Sequence, residues 1–121
     1  MSRILIVNSD QDMIDILEMI FIHQQYKVNI FASKNDISEY STLNKPDVII
    51  MGYSANSPQY KALYQQLREK ENTNNIPIIF LSDRPVQIAV YDDNICNVNP
   101  LNLSLLSTQV KYMLKKGIPA N

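Results

Sequence analysis

Six small or polar residues stand where predicted strands of this sequence end, and they form the candidate site: Asn8, Ser9, Asp10, Gly52, Ser82 and Asn99. The carboxyl ends of parallel strands meet at one edge of a sheet, where a crevice forms, so residues that follow different strands can converge there. Only Asp10 in this set carries a charge, and we expect a pocket that is hydrogen-bonded within the protein rather than reactive.

Few other residues offer chemistry. Gly52 and Gly117 are the only glycines, so neither a phosphate-binding Walker loop nor a dinucleotide fingerprint can be written on the chain. His23 is the only histidine, and it lies far in sequence from Cys96 with no pattern that supports a catalytic dyad. We therefore expect no enzymatic activity and no cofactor.

Two carboxylates near the start of the first predicted helix raise the question of a metal site. Asp10 and Asp12 stand where helix N-termini attract carboxylates for capping, without any ion. Ser82, at a predicted strand end, is interpreted as a local turn residue. We expect no metal ligands and no catalytic residue among them.

The elements that position these residues follow from the apolar pattern. Ile4–Val7, Val48–Met51 and Ile76–Leu81 are continuous apolar runs, which are typical of strands covered on both faces. Lys27–Phe31 alternates polar and apolar residues, as expected of a strand near the sheet edge. A weaker strand is predicted around residues 95–98.

Four helices are predicted between and after these strands. The first begins at a cap on Ser9 or Asp10 and ends near Gln24, and the third begins at Ser57 and Pro58. Apolar residues at spacings of three and four predict the buried stripes: Met13, Ile16, Leu17, Ile20 and Phe21 in the first helix; Ile37, Tyr40 and Leu43 in the second; Tyr60, Leu63, Tyr64 and Leu67 in the third; Leu103, Leu106, Val110, Met113 and Leu114 in the last.

Alternating strands and helices predict an α/β fold with a doubly wound parallel sheet, because right-handed crossovers place helices on both faces. Five strands suggest the order 2-1-3-4-5. The length of 121 residues is that of one domain, which we expect to span residues 1–121.

Five segments resemble the receiver domains of bacterial two-component response regulators, and they occur in the order of that family: ILIVNSD, KPDVIIMG, LYQQLRE, NIPIIFLSD and VNPLNLSLL. The resemblance covers nearly the whole chain and needs no gap from PDVIIMG through the LR pair. It implies a flavodoxin-like fold and a regulatory role in phosphorelay signalling.

The charged residues of the family site are missing. In the family, two acidic residues after the first strand and a phosphoacceptor aspartate after the third hold magnesium, where this chain has Asn8, Ser9 and Gly52. The lysine expected before the proline of the last turn is replaced by Asn99. The resemblance therefore implies a pseudo-receiver with a vestigial pocket, because loss of both signs of charge leaves a pocket that can be internally satisfied.

Two further departures concern the output side of the family fold. Cys96 stands at the switch position, where receivers usually carry an aromatic residue, so the resemblance implies no aromatic switch here. The alternative is that Cys96 is simply a small buried apolar side chain. The stretch from Ser82 to Asn99 is short and interrupted by Pro85, so the fourth helix of the family is expected to be curtailed or absent. A strand edge or apolar patch exposed there could mediate association.

Charge and composition limit the partners. Eleven basic and twelve acidic residues nearly cancel, which argues against nucleic acid and membrane surfaces as partners. A single cysteine and short apolar runs indicate a cytoplasmic protein. No output domain follows within the chain, and whether it stands alone or is a piece of a larger protein is left open.

The leading hypothesis is an atypical receiver domain that acts without phosphorylation by contacting a signalling protein or a second copy of itself. A phosphorelay receiver with another acceptor, Asp10, Asp83 or Ser54, is the first alternative. A small ligand-binding domain on the same fold is the second.

Overall fold

The computed structural model describes residues 1–31, 37–52, 59–86 and 91–116. Along these residues the elements are β1 (Arg3–Asn8), α1 (Gln11–His23), β2 (Lys27–Phe31), α2 (Ile37–Asn44), β3 (Val48–Gly52), α3 (Gln59–Glu69), β4 (Ile78–Leu81), β5 (Ile95–Val98) and α4 (Leu103–Lys116). The predicted starting signal of α3 at Ser57 and Pro58 lies outside the described residues, as do the candidate acceptor Ser54 and the glycine Gly117.

The five strands form one parallel sheet in the order β2-β1-β3-β4-β5, which confirms the predicted α/β topology. β1 and β3 lie side by side in the centre, and every residue of β3 is buried. Continuous apolar runs suit these strands because helices cover both faces of the sheet. The alternating strand β2 lies at an edge, as predicted.

Each face of the sheet carries its own apolar core. Ile4 and Ile6 of β1 point to one face, where Leu17 of α1 and Val110 of α4 meet them. Leu5 and Val7 point to the opposite face, toward α2 and α3. This division follows from the two-residue period of a strand, and it makes the central strands common to both cores.

Two residues predicted to be buried are exposed. In α1 the buried stripe is Ile14, Leu17 and Phe21, so Ile16 falls at the side of the helix and is 38% exposed. In α2 the buried residues are Ile37, Ser38 and Ser41, which leaves Leu43 76% exposed. Both differences have one cause: apolar spacing alone does not define the buried stripe, because the rotation of each helix against the sheet decides which residues face the core.

The connection from β4 to β5 contains no helix in residues 82–86 and 91–94, the parts of it that the structure describes. Asn97 of β5 holds its first part: the backbone N–H of Val86 donates to Asn97 Oδ1 at 3.2 Å, and Asn97 Nδ2 donates to the carbonyl of Ser82 at 3.3 Å. Val86 thereby packs against the core that α2 and α3 cover. Residues 87–90 lie outside the described part, so the predicted loss of the fourth family helix stays a prediction.

Candidate functional site

An open cavity of about 510 Å³ lies at the carboxyl edge of the sheet. Register brings its two central residues together, because Asn8 at the end of β1 is paired with Gly52 at the end of β3. The residues that line the cavity are Asn8, Ser9, Asp10, Met13, Gly52, Gln59, Leu81, Ser82, Asp83 and Pro100.

The side chain of Asn8 fills the space beside Gly52. A Cβ atom at Gly52 would overlap Asn8 Nδ2 and lie 3.3 Å from Asn8 Cγ. Asn8 is buried, and its Oδ1 accepts a hydrogen bond of 2.8 Å from the backbone N–H of Asp10. The amide of Asn8 therefore occupies the place where a side chain at position 52 would begin.

Asp10 serves as the N-cap of α1, one of the two caps predicted. Its backbone is extended, with φ −91° and ψ 111°, and its Oδ1 accepts from the N–H of Asp12 at 3.0 Å. Ser9, beside it, lines the cavity and is exposed. The carboxylate of Asp10 therefore caps the first turn of α1 through Oδ1.

Ser82 is buried at the end of β4, and its hydroxyl forms a local turn. Ser82 Oγ donates to the carbonyl of Arg84 and accepts from the N–H of Arg84 at 3.2 Å. Asn99 is exposed, and its Oδ1 accepts from the N–H of Leu101 at 2.9 Å. Pro100 lines the cavity there instead of Asn99, so five of the six predicted residues come together.

Comparison with known proteins finds no matching family model and no matching curated protein. Solved structures do match. A response regulator from Desulfuromonas acetoxidans aligns with a TM-score of 0.79 at 21% identity, over 98% of this chain and 100% of that one. The chain has the receiver fold.

Two further structures with the receiver fold also match this chain. The receiver domain of the sensor histidine kinase PA1611 from Pseudomonas aeruginosa PAO1 matches with a TM-score of 0.76 at 18% identity, over 94% of this chain and 98% of that one; that protein holds a magnesium ion in its active site cleft. The pseudo-receiver domain of the CikA protein matches with a TM-score of 0.71 at 20% identity, over the full length of both chains.

The crevice of this receiver fold contains few charges. Asp10 and Asp83 are the charged residues that line it in the described part of the chain. Among the described residues, no group of three or more histidine, cysteine, aspartate or glutamate side chains could hold a metal ion. The observed arrangement can donate and accept hydrogen bonds, but its centre presents no carboxylate for a divalent cation.

Sequence reasoning did not assign to the site four residues that line the cavity: Met13, Gln59, Leu81 and Pro100. Met13 and Gln59 are the two that lie on helices. Both lie in the first turn of a helix, and the helices that follow β1 and β3 in the receiver fold begin at the edge that carries the crevice. The start positions of α1 and α3 were therefore the signal that could have found them.

Cys96, the predicted switch position, lies in β5 beside Ile79 of β4 and outside the cavity lining. Its side chain packs against the core that α1 and α4 cover. Burial raises the pKa of the thiol to about 11, so it is protonated at neutral pH. A protonated thiol is a weak nucleophile, which agrees with a packing role.

No helix in the described residues is long and apolar enough to cross a lipid bilayer.

Proposed function

We propose that this chain is a signalling module with a receiver fold that works without phosphorylation, in the cytoplasm, by binding another protein or a second copy of itself. The observation that carries the proposal is the Asn8 amide beside Gly52. The place of an acceptor side chain is already taken by a buried group of the protein itself.

Aspartyl phosphorylation in such a crevice needs a carboxylate that attacks phosphorus and a cation that offsets the charge of the phosphoryl oxygens. Gly52 has no side chain that could attack. Asn8 and Ser9 carry no charge that would hold magnesium, and Asn99 has no positive charge for a phosphoryl oxygen. Each requirement fails at a different residue, so restoring one of them leaves the others unmet.

Protein binding is the favoured mode of action because the surface charge is nearly balanced. The formal net charge is −1 at pH 7, which gives no field that would attract a nucleic acid backbone. Exposed apolar side chains include Met19 on α1, Leu101 in the turn before α4 and Tyr112 on α4. Scattered side chains of this kind are common on protein surfaces, and they can add contact area to a protein interface.

The test is incubation with acetyl phosphate and magnesium, followed by intact-mass measurement. We expect the mass of this chain to stay unchanged under conditions in which a receiver domain with a complete acidic site is modified. A stoichiometric phosphoryl adduct would refute phosphorylation independence.

The same experiment also tests the alternative hypothesis, in which another residue of the chain is the phosphoacceptor. Asp10 and Asp83 line the cavity, but the carboxylate of Asp10 already caps α1. Were an adduct observed, Asp10→Asn, Asp83→Asn and Ser54→Ala variants would show which residue carries it, and the variant that abolishes the adduct would identify the acceptor. A ligand-binding role would instead appear as a rise in thermal stability with a specific small molecule.

A further inference from the structure

Arg68 on α3 forms hydrogen bonds with the segment that precedes β4 in the sequence and with the segment that follows it. Its Nε donates to Asp92 Oδ2 at 2.8 Å, and its Nη1 donates to the carbonyl of Ile76 at 2.8 Å. Nη2 donates to the carbonyl of Asn94 at 3.4 Å. The side chains of Arg68 and Asp92 are 15% and 12% exposed, so the pair is largely shielded from water.

Tyr64 lies one helical turn before Arg68 and contacts the same carboxylate. Its hydroxyl donates to Asp92 Oδ2 at 2.5 Å, and the guanidinium carbon of Arg68 is 5.4 Å from the centre of the Tyr64 ring. The other carboxylate oxygen of Asp92 accepts from the N–H of Asn94 at 2.9 Å. Charge-assisted hydrogen bonds of this kind are stronger than uncharged ones, so this cluster binds α3 firmly to residues 91–94.

The same segment is held from two other directions. Lys116, in the last turn of α4, donates to the carbonyl of Asp93. Asn94 Nδ2 donates to the carbonyl of Asn75 at 2.6 Å, in the turn before β4. Residues 91–94 therefore cross the amino-terminal edge of the sheet between α3 and α4, and we call this segment the strap.

Apart from the strap, the strand that follows it is held by β4, by two hydrogen bonds of the Asn97 side chain and by limited apolar packing. β5 has four residues and pairs only with β4, at the edge of the sheet. Val98 is buried, whereas Ile95 and Cys96 are partly buried and Asn97 is exposed. A short edge strand with this little apolar burial belongs to the part of a protein that opens at low free energy unless something else fixes it.

We propose that the Arg68–Asp92 ion pair holds the strap against α3. When this pair is broken, β5 can detach from β4 as a whole while β1, β2, β3 and β4 stay paired. The open state would leave the backbone groups of β4 unpaired at a new sheet edge. This inference does not rest on the proposed function, since the Arg68–Asp92 contact lies at the amino-terminal edge of the sheet and uses no residue that lines the Asn8 cavity.

The test is hydrogen–deuterium exchange of the backbone amides in the Asp92→Asn variant, with Asp93→Asn as the matched control. Asp92→Asn removes the charge that Arg68 and Tyr64 bind, whereas Asp93 is an exposed neighbour whose backbone carbonyl, not its carboxylate, binds Lys116. We expect the β5 amides that are hydrogen-bonded to β4 to exchange at least roughly tenfold faster in Asp92→Asn. The amides of β1 and β3 should exchange as in the parent protein, and Asp93→Asn should match the parent throughout.

Tyr64→Phe provides a second variant, because it removes only the hydroxyl that donates to Asp92. It should accelerate exchange in β5 in the same direction by a smaller factor, and it carries the test if Asp92→Asn does not fold. Equal acceleration in all strands would mean global destabilisation and would overturn the proposal. Unchanged exchange in β5, or equal effects of Asp92→Asn and Asp93→Asn, would overturn it as well.

Discussion

The side-chain amide of Asn8 occupies the space beside Gly52, its partner on the neighbouring strand. The buried Asn8 side chain is held by the N–H of Asp10, and its nitrogen takes the space that a Cβ atom at Gly52 would need. Gly52 does not have a positive φ, so the requirement for glycine there is steric and comes from a side chain on the neighbouring strand. The two positions should therefore behave as a coupled pair.

Gly52→Ala should destabilise the protein by about 1–3 kcal/mol, because overpacking at a buried site forces neighbours to move. The cost should shrink in an Asn8→Ala background, where the space is empty, although Asn8→Ala itself loses a buried hydrogen bond. Urea denaturation of the parent, both single variants and the double variant measures this coupling. Equal costs of Gly52→Ala in both backgrounds would show that Asn8 is not the obstacle.

At the scale of single residues, the sequence predicts which residues meet at the carboxyl edge of the sheet, but it does not predict how their side chains pack against one another. The ends of apolar runs located Asn8, Gly52 and Ser82, because strand ends are visible as changes in composition. The overlap between Asn8 and Gly52 depends on strand register and on the orientation of one amide, which no local pattern encodes. The position of Asn99 directly before Pro100 predicts a place in the pocket. Its side chain instead accepts a hydrogen bond from the N–H of Leu101 in the same loop.

The elements themselves were largely predictable, since period and length decide them. All five strands and all four helices of the described residues stand where the apolar pattern placed them, with bounds that differ by a few residues. The exceptions are side chains such as Leu43, in a helix of eight residues with weak apolar bias. The strap was not predicted, because Arg68 and Asp92 are 24 positions apart and nothing local links them.

The strap makes stability depend on pH. Burial alone would raise the pKa of Asp92, but hydrogen bonds from Tyr64, Arg68 and the N–H of Asn94 outweigh burial and lower it. A carboxylate whose pKa is lowered in the folded state stabilises the protein above its unfolded pKa of about 4, and this contribution is lost as pH falls through the folded pKa.

Asp92→Asn should therefore be less stable than the parent at about pH 7, by about 1–2 kcal/mol, and the difference should narrow at about pH 3. Urea midpoints measured at both values test this, with Asp93→Asn as the control. A stability difference that stays the same at both values would contradict the role assigned to the Asp92 charge.

In the whole molecule, two cores share one sheet, which is why we expect residues 1–121 to unfold as a single domain. Leu17 lies in the core on the α1 side and Leu67 in the core on the α3 side, and both are fully buried. Both cores rest on the same central strands, so loss of packing on one face should weaken the other.

Leu17→Ala and Leu67→Ala should each cost about 2–5 kcal/mol, the usual range for a buried leucine truncated to alanine. Each variant should unfold in one transition, with the same midpoint by far-ultraviolet circular dichroism and by tyrosine fluorescence. Separate midpoints, with one face melting first, would show that the two halves fold independently.

The filled space beside Gly52 also limits which single substitutions this edge of the sheet can accept. An aspartate introduced at position 52 meets the Asn8 amide, while an aspartate introduced at position 8 adds a carboxylate but leaves Gly52 without a side chain. A set of acidic side chains at both positions would therefore need two coordinated changes, because either change alone loses stability or leaves the set incomplete.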